Sequence, residues 1–514
     1  MHAEAIATAR SLAPARKTHA SLACWLLVVP LWAPLWLVAP IVAQDPVLVA
    51  AGADAATLAA AAARVRPSPR QLAWQAHGFV AFVHFGMNTF TDREWGDGTE
   101  TPATFAPTDF DAAQWVSTFA DAGMRGLVLT CKHHDGFALW PTSVTAHSVA
   151  SSPWRHGDGD IVAEVADACR ARGLSFGVYL SPWDRHCKEF GTRAYHEIFQ
   201  TQLRELCTNY GPLFEVWFDG ANCPSDQPEV FDWQAHFRLV RQLQPDAAIA
   251  ITGPDVRWVG NEAGRTREQE WSVLPLDVAE SGGFEQDRTA WQSLWRLRER
   301  NQAHDLGSRS ALTGARRLCW WPAETDVSIR PGWFFHEAEN DKVKSKGELL
   351  DFWFAAVGGN AVLLLNVPPD RRGRIADQDV AVLREVGAHL QATFGIDLLA
   401  QADRRDRRGT WEFYFAEERT FDVVDLREEV GSRGQCVEAF AIEVWDGERF
   451  TEVATGTTIG FRRLVRLPLT TARGLRVRIR QSRSETRLAH ISLHRQPPPA
   501  PASTEPTKPS SRPR

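Results

Sequence analysis

The sequence has no large excess of charge of either sign. Its 57 Lys and Arg residues nearly balance 63 Asp and Glu residues, for a formal net charge of −6, and no block of like charge stands out. A nucleic-acid-binding protein would show a strongly basic face, so the composition argues against nucleic acid as a partner. At 514 residues the chain is long enough for two globular domains.

Cysteine is scarce and follows no pattern. Cys24 lies in an N-terminal targeting segment, and the other seven are scattered: Cys131, Cys169, Cys187, Cys207, Cys223, Cys319 and Cys436. This odd number at irregular spacings predicts neither a disulfide framework nor a C-x-x-C metal site. We expect buried free thiols.

Tyrosine is also rare, with 4 residues against 21 Trp. Most of these indoles are expected to fill hydrophobic cores. Flat apolar rings also lie against the C–H-rich faces of sugars, so Trp residues beside carboxylates would be informative.

Residues 1–43 are predicted to be a secretory signal, which places the protein outside the cell or in the periplasm. The basic residues Arg10, Arg16 and Lys17 precede an apolar run at 21–43 that ends in small residues. The run is long enough to span a bilayer, so an uncleaved anchor is the alternative, although its three prolines disfavour a continuous helix. No membrane partner is expected unless the segment is retained.

Apolar runs of strand length alternate with amphipathic segments over residues 67–395. This alternation indicates a parallel sheet covered by helices, and its length suits a TIM-like (β/α)8 barrel. An open doubly wound sheet is the competing α/β fold. It would be favoured by a Gly-rich phosphate loop after the first strand, and HFGMN at 84–88 is not one. The predicted strands are 78–85, 126–131, 175–180, 214–218, 247–251 and 361–367.

The flanking regions differ in composition from the predicted barrel. Residues 44–66 are Ala-rich and are predicted to be a linker or a surface helix. Short alternating runs broken by turn residues indicate a small C-terminal β-sandwich at 396–495. Residues 496–514 are rich in Pro and Ser and are expected to be disordered.

Polar and aromatic side chains occur at the predicted C-terminal ends of the strands, where barrels carry their active sites. In chain order they are His84, His133, His134, Tyr179, Asp219 and Glu262. Carboxylates, imidazoles and nearby indoles that meet at one mouth are typical of carbohydrate-cleaving enzymes.

Two carboxyl groups are the minimum for a retaining glycosidase. One attacks the anomeric carbon, and the other protonates the departing oxygen and later activates water. Asp219 follows an aromatic-rich strand and precedes Gly220, a position that packing explains poorly, so it is the predicted nucleophile; a helix-capping loop residue is the alternative. Glu262, in GNEAG, is as consistent with a solvated loop glutamate as with an acid.

The adjacent His133 and His134 also raise the hypothesis of a metal-dependent hydrolase. Neighbouring residues on a strand point to opposite faces, and no H-E-x-x-H or similar ligand set accompanies them. We predict neither a metal nor an organic cofactor. A non-catalytic carbohydrate-binding protein on the same barrel is a further alternative.

Eight segments between about residue 74 and residue 375 carry motifs of one family. They are HGFVAFVHFGMNTF, DREWG, LTCKHHDGFALW, FGVYLSPWD, EVWFDGAN, RWVGNEAG, WWPAETDVSIRPGWFFH and VLLLNVPPDRRGRI. In these segments the chain resembles the α-L-fucosidases of glycoside hydrolase family 29. KHHDGF and WFDG together are highly specific.

The resemblance implies release of terminal α-L-fucose from a fucosylated oligosaccharide or glycoconjugate, with Asp219 as nucleophile. RWVGNEAG resembles the branch selective for α-1,3/1,4-linked fucose, which implies Glu262 as the general acid. A transfucosidase or another retaining glycosidase is the alternative. The fucose-binding residues that the resemblance implies are His84, Glu94, Trp95, His133, His134, Tyr179 and Trp333.

Overall fold

The computed structural model describes residues 46–221, 231–251, 253–276 and 304–498. The predicted signal segment, Cys223 and all but three residues of the predicted disordered tail lie outside these ranges. No helix within them is both long and apolar enough to cross a membrane.

Eight parallel strands form a barrel that is nearly closed. Neighbouring strands pair in chain order from β1 to β5, and β8 pairs with both β1 and β7. A parallel bridge between Ala250 and Val256 joins β5 to the residue before β6. The strands are β1 (Phe79–Val83), β2 (Gly126–Lys132), β3 (Ser175–Leu180), β4 (Glu215–Phe218), β5 (Ala248–Ile251), β6 (Arg257–Trp258), β7 (Ala323–Ser328) and β8 (Ala361–Asn366).

Helices cover the outside of the barrel and bury their apolar faces against it. Asp111 and Asp160 cap two of them, because each carboxylate accepts a hydrogen bond from the backbone N–H three residues later. The helices are Ala55–Ala62, Pro69–Gln75, Met87–Thr91, Ala112–Asp121, Ile161–Arg172, Arg193–Asn209, Trp233–Leu243, Lys346–Ala356, Asp377–Phe394 and Val430–Arg433, with 3-10 turns at Pro102–Thr104, Val149–Ser151, Trp154–Gly157 and Glu337–Glu339.

Strands β6 and β7 were not predicted from the sequence. Only two residues of β6 have strand geometry, too few for a detectable pattern. In β7 the residues Glu324 and Asp326 point into the barrel and are buried, so carboxyl groups stand where an apolar run would be expected.

Within the Ala-rich stretch at 44–66, the described residues form the predicted alternative to a linker, a helix at Ala55–Ala62, which follows a short strand. Val47–Leu48 pairs antiparallel with Arg317–Trp320, which in turn pairs with Val273–Pro275. The helix Ala55–Ala62 buries Leu58 in the same small cluster. Small Ala side chains permit this close approach to the strands.

The C-terminal domain is an antiparallel β-sandwich with its own hydrophobic cluster. Its sheet has the order β9-β10-β13-β11-β12, and β14 pairs with β10. Register shifts interrupt the long strands β10 and β13, which lets them bend over the cluster. The strands are β9 (Asp403–Arg407), β10 (Thr410–Glu428), β11 (Val437–Trp445), β12 (Phe450–Gly456), β13 (Arg463–Ser482) and β14 (Leu488–His494).

Candidate active site

Asp219 lies at the C-terminal end of β4 with both carboxylate oxygens held. Its Oδ2 accepts a hydrogen bond of 2.8 Å from the Tyr179 hydroxyl, and its Oδ1 accepts one of 2.8 Å from the backbone N–H of Ala221. The His134 Nε2 lies 3.8 Å from Oδ2. The side chain keeps 24% of its surface exposed, so a fixed carboxylate faces the mouth of the barrel.

His134 is held in one tautomer by Ser181. The Ser181 hydroxyl donates its only proton to the Trp183 carbonyl, at 2.7 Å. The same hydroxyl lies 2.7 Å from His134 Nδ1, so there it must accept a hydrogen bond from Nδ1–H. Burial lowers the pKa of His134, although the charge of Asp219 opposes that shift. The neutral ring therefore presents an Nε2 lone pair toward Asp219.

His84 is held in the same tautomer by Asn366. The Asn366 amide nitrogen donates to the Trp333 carbonyl at 2.8 Å, which fixes its Oδ1 as the atom 2.8 Å from His84 Nδ1. That oxygen can only accept, so His84 carries its proton on Nδ1. Burial lowers the pKa of His84 to about 4, which leaves Nε2 as an acceptor at neutral pH.

His133 is held in the other tautomer, with its proton on Nε2. The Asn88 amide nitrogen donates to the Glu94 carbonyl at 3.1 Å and lies 3.4 Å from His133 Nδ1, which therefore accepts. Burial holds the pKa of His133 well below its ordinary value, and the proton of the neutral ring is on Nε2. The three histidines thus supply two acceptors and one donor, a pattern suited to several hydroxyl groups of one sugar.

Aromatic rings form the walls around these histidines. The ring centroids of Trp333 and His84 are 5.2 Å apart, and those of Tyr179 and Trp217 are 5.2 Å apart and stacked. Trp95 is 52% exposed and meets His134 edge-on at 5.5 Å. An apolar wall of this kind fits the C–H face or a methyl group of a sugar.

Glu94 joins the loops that follow β1 and β7. Its Oε2 accepts from the Trp333 N–H at 2.8 Å, and its Oε1 accepts from the Phe334 N–H at 3.1 Å and lies 2.7 Å from His336 Nε2. The predicted binding residue therefore also orients Trp333.

Glu262 lies on the segment after β6 and is exposed. Asp326 on β7 is a third carboxyl group of this region. Burial raises the pKa of Asp326 to about 7, and the negative charges of Glu262 and Asp219 add to that shift.

The contacts described above link eight of the nine predicted site residues at one mouth of the barrel, and Glu262 lies on the exposed segment after β6. In the comparison with known proteins, the family model described as Alpha-L-fucosidase matches residues 73–393. The chain belongs to the α-L-fucosidase family. It is a glycoside hydrolase of family 29.

Relatives of this fucosidase span most of its length. It is 37% identical to Alpha-L-fucosidase 1 of Arabidopsis thaliana, over 83% of this chain and 87% of the relative. A candidate α-L-fucosidase from Bacteroides ovatus superposes with a TM-score of 0.81 at 43% identity, covering 90% of this chain and 79% of that one. A Ruminococcus gnavus family 29 fucosidase, solved with fucose bound, has a TM-score of 0.71 at 28% identity, covering 87% and 97%.

Indole–carboxyl hydrogen bonds inside the fucosidase barrel were not predicted. Trp217, two residues before Asp219, donates to Glu324 at 2.9 Å. Trp258, four residues before Glu262, donates to Asp326 at 2.8 Å. The signal in the sequence that could have revealed these hydrogen bonds was the spacing of Glu324 and Asp326, because residues two apart on a strand point to the same face.

An ion pair joins the two ends of the segment that carries Glu262. Arg257 at its start and Glu270 at its end form an ion pair in which both side chains are buried. Arg267 adds a second ion pair to Glu270 at 3.1 Å. The ends of segment 257–270 are therefore fixed together, while Glu262 in the middle faces solvent.

Among the described residues, no group of three or more His, Cys, Asp or Glu side chains is arranged to hold a metal ion. His133 and His134 lie with their ring centroids 4.0 Å apart, and the Nδ1 atom of each has a protein hydrogen-bond partner. Cys131, Cys169, Cys207 and Cys436 are buried free thiols.

Proposed function

We propose that this fucosidase is a retaining enzyme in which Asp219 is the nucleophile and Glu262 is the general acid and base. In the first step an oxygen of Asp219 bonds to the anomeric carbon of fucose. The bond from that carbon to the glycosidic oxygen breaks, and the proton of Glu262 passes to this oxygen. The products are the free aglycone and a fucosyl ester of Asp219.

In the second step Glu262 acts as a base. It takes a proton from a water molecule whose oxygen bonds to the anomeric carbon, and Asp219 leaves as a carboxylate. Two inversions restore the original configuration. The Tyr179 hydroxyl and the Ala221 N–H stabilise Asp219 in its charged form, which is both the attacking and the leaving state.

The arrangement of Asp219 supports this proposal most strongly. It is a carboxylate held at both oxygens, exposed toward the mouth, and surrounded by three neutral histidines with defined polarity. The bound fucose in the Ruminococcus gnavus relative supports the same sugar as the substrate group here. The histidine acceptors and donor would bind fucose hydroxyls, and Trp95 and Trp333 would contact its C6 methyl group.

A mechanism-based inhibitor tests the nucleophile. A 2-deoxy-2-fluoro-fucosyl fluoride should form a stable ester, and peptide mass spectrometry should find the label on Asp219. A label on any other residue would contradict the assignment. In the crystal structure of this adduct, the carboxyl groups of Asp219 and Glu262 should lie about 5–5.5 Å apart, as in other retaining enzymes.

We further propose selectivity for α-1,3/1,4-linked fucose on branched glycans, supported by the RWVGNEAG form of the segment that carries Glu262. A panel of fucosylated trisaccharides that differ only in linkage, with an aryl fucoside as reference, tests it. Equal rates on α-1,2- and α-1,3/1,4-linked substrates would contradict it.

We also propose that the chain is exported through its N-terminal segment. Expression of the full chain with N-terminal sequencing of the exported product should find residues 1–43 removed. Retention of the segment in a membrane fraction would support the anchor instead.

A further inference from the structure

Strand β7 supports the segment that carries Glu262. The backbone N–H of Val259 donates to the Glu324 carbonyl at 2.8 Å, and that of Gly264 donates to the Asp326 carbonyl at 3.2 Å. Glu262 lies between these two attachment points. Gly264 has a left-handed φ of +63°, and a Cβ there would lie 2.9 Å from a Val327 methyl carbon, so the chain approaches β7 as closely as it can.

The side chain of Asp326 adds a third attachment. Its Oδ1 accepts from the Trp258 indole at 2.8 Å. Trp258 is the last residue of β6, directly before the segment begins. Asp326 therefore contacts the segment on both sides of Glu262, through its side chain before Glu262 and its backbone after it.

We propose that Asp326 is a positioning residue for the general acid, an inference that rests on the role proposed above for Glu262. Loss of the Asp326 side chain removes its hydrogen bond to Trp258 and lets the segment shift, so the Glu262 carboxyl group moves from the place beside the glycosidic oxygen that the proposed role requires. Proton donation suffers, while the attack by Asp219 on the opposite side of the sugar is left in place.

Leaving-group dependence separates this role from a general structural one. In Asp326→Ala, kcat/KM for a fucosylated oligosaccharide should fall about 10²-fold, the cost of a misplacement of about 1 Å. For a 2-chloro-4-nitrophenyl fucoside the loss should be less than about threefold, because that leaving group needs little protonation. Trp258→Phe removes the same hydrogen bond from the other side and should show the same selectivity. The double variant should lose no more than either single one.

The matched control is Glu324→Ala. Glu324 is the other inward carboxyl group of β7, and its side chain accepts from Trp217 on the nucleophile strand rather than from the acid strand. Its replacement should lower the rates on both substrates by the same factor. Leaving-group selectivity equal to that of Asp326→Ala would overturn the inference.

Asp326→Asn is a conservative substitution that gives a second test. The amide keeps an oxygen that accepts from Trp258, so activity at pH 6 should stay within about threefold of wild type, since the carboxyl group it replaces is protonated there. The titratable groups that act on Asp326 are Glu262, Asp219 and Glu324. Recovery of the oligosaccharide rate in Asp326→Asn, with the rate of Asp326→Ala still low, would identify the hydrogen bond to Trp258 as the feature that positions Glu262.

Equal losses on both substrates in Asp326→Ala and Trp258→Phe would overturn the inference, as would a loss in Asp326→Asn at pH 6 as large as that in Asp326→Ala. The variant Glu262→Ala distinguishes failure of the positioning role from failure of the proposed function. If that variant shows no leaving-group dependence, then the assignment of the acid is wrong. If it does and the Asp326 and Trp258 variants do not, only the positioning role is wrong.

Discussion

The two sides of the barrel mouth hold their carboxyl groups in different ways. On the β2–β4 side, Asp219 is fixed at both oxygens and lies among buried, neutral rings. On the β6–β7 side, Glu262 is exposed on a segment that the backbone N–H groups of Val259 and Gly264 attach to β7. As the proposed nucleophile, Asp219 would meet the same sugar in every substrate, so a rigid position is expected for it. As the proposed acid, Glu262 would meet the aglycone, which varies, so linkage selectivity is expected on its side.

The largest expected effect is on the nucleophile side. Asp219→Asn should lower kcat by about 10⁴-fold or more on both natural and activated substrates, because no ester can form. Fucose binding, measured by calorimetry, should change little, since the amide keeps the size of the side chain. Turnover of either substrate within 100-fold of wild type would contradict the assignment of Asp219.

Replacement on the acid side should depend on the substrate. Glu262→Ala should lower kcat/KM for oligosaccharides by about 10²–10⁴-fold, the usual contribution of a general acid. An activated aryl fucoside should still form the ester, and added azide should restore its turnover by replacing the missing base-assisted water. Wild-type rates on branched glycans would show that another group is the acid.

A smaller effect is expected from the tautomer of His134. Ser181→Ala removes the acceptor of Nδ1–H, and an unpaired buried donor costs about 1–3 kcal/mol, enough to raise KM about tenfold. Both substrates should be affected alike, because the change lies on the nucleophile side. Ser175→Ala, at the other end of the same strand, is the control and should leave KM unchanged.

The smallest effect is a pH dependence of sugar binding. Because the pKa of His84 is about 4, its Nε2 remains an acceptor down to about pH 5 and becomes a donor as pH falls through 4. The inhibition constant of free fucose should be flat from pH 7 to pH 5 and rise below it, by at most about tenfold per pH unit. A rise that begins near pH 6.5 would show that His84 titrates as an ordinary histidine.

The same contrast separates what the sequence could predict from what it could not. Strand β4 is a short, mostly apolar run directly before Asp219, so the strand and the position of Asp219 follow from a local pattern, and the same pattern led to its predicted role. Strand β7 carries Glu324 and Asp326 on its inner face, and its role depends on Trp217 and Trp258, which lie 107 and 68 residues away in the chain.

The hydrogen-bond partners of the histidines could not be predicted from the sequence for the same reason. Asn366 and His84 are 282 residues apart, and they meet only because β8 and β1 are neighbours in the barrel. Sequence motifs predicted which rings face the sugar. The direction in which each ring donates or accepts became visible only in the folded chain.

The ion pair between Arg257 and Glu270 has a consequence for how this enzyme could diversify. This ion pair joins the two ends of segment 257–270. The residues between Arg257 and Glu270 could therefore be exchanged as a unit without disturbing the barrel. Grafting the equivalent stretch of a relative between these two positions should transfer linkage preference while the sugar pocket stays as it is.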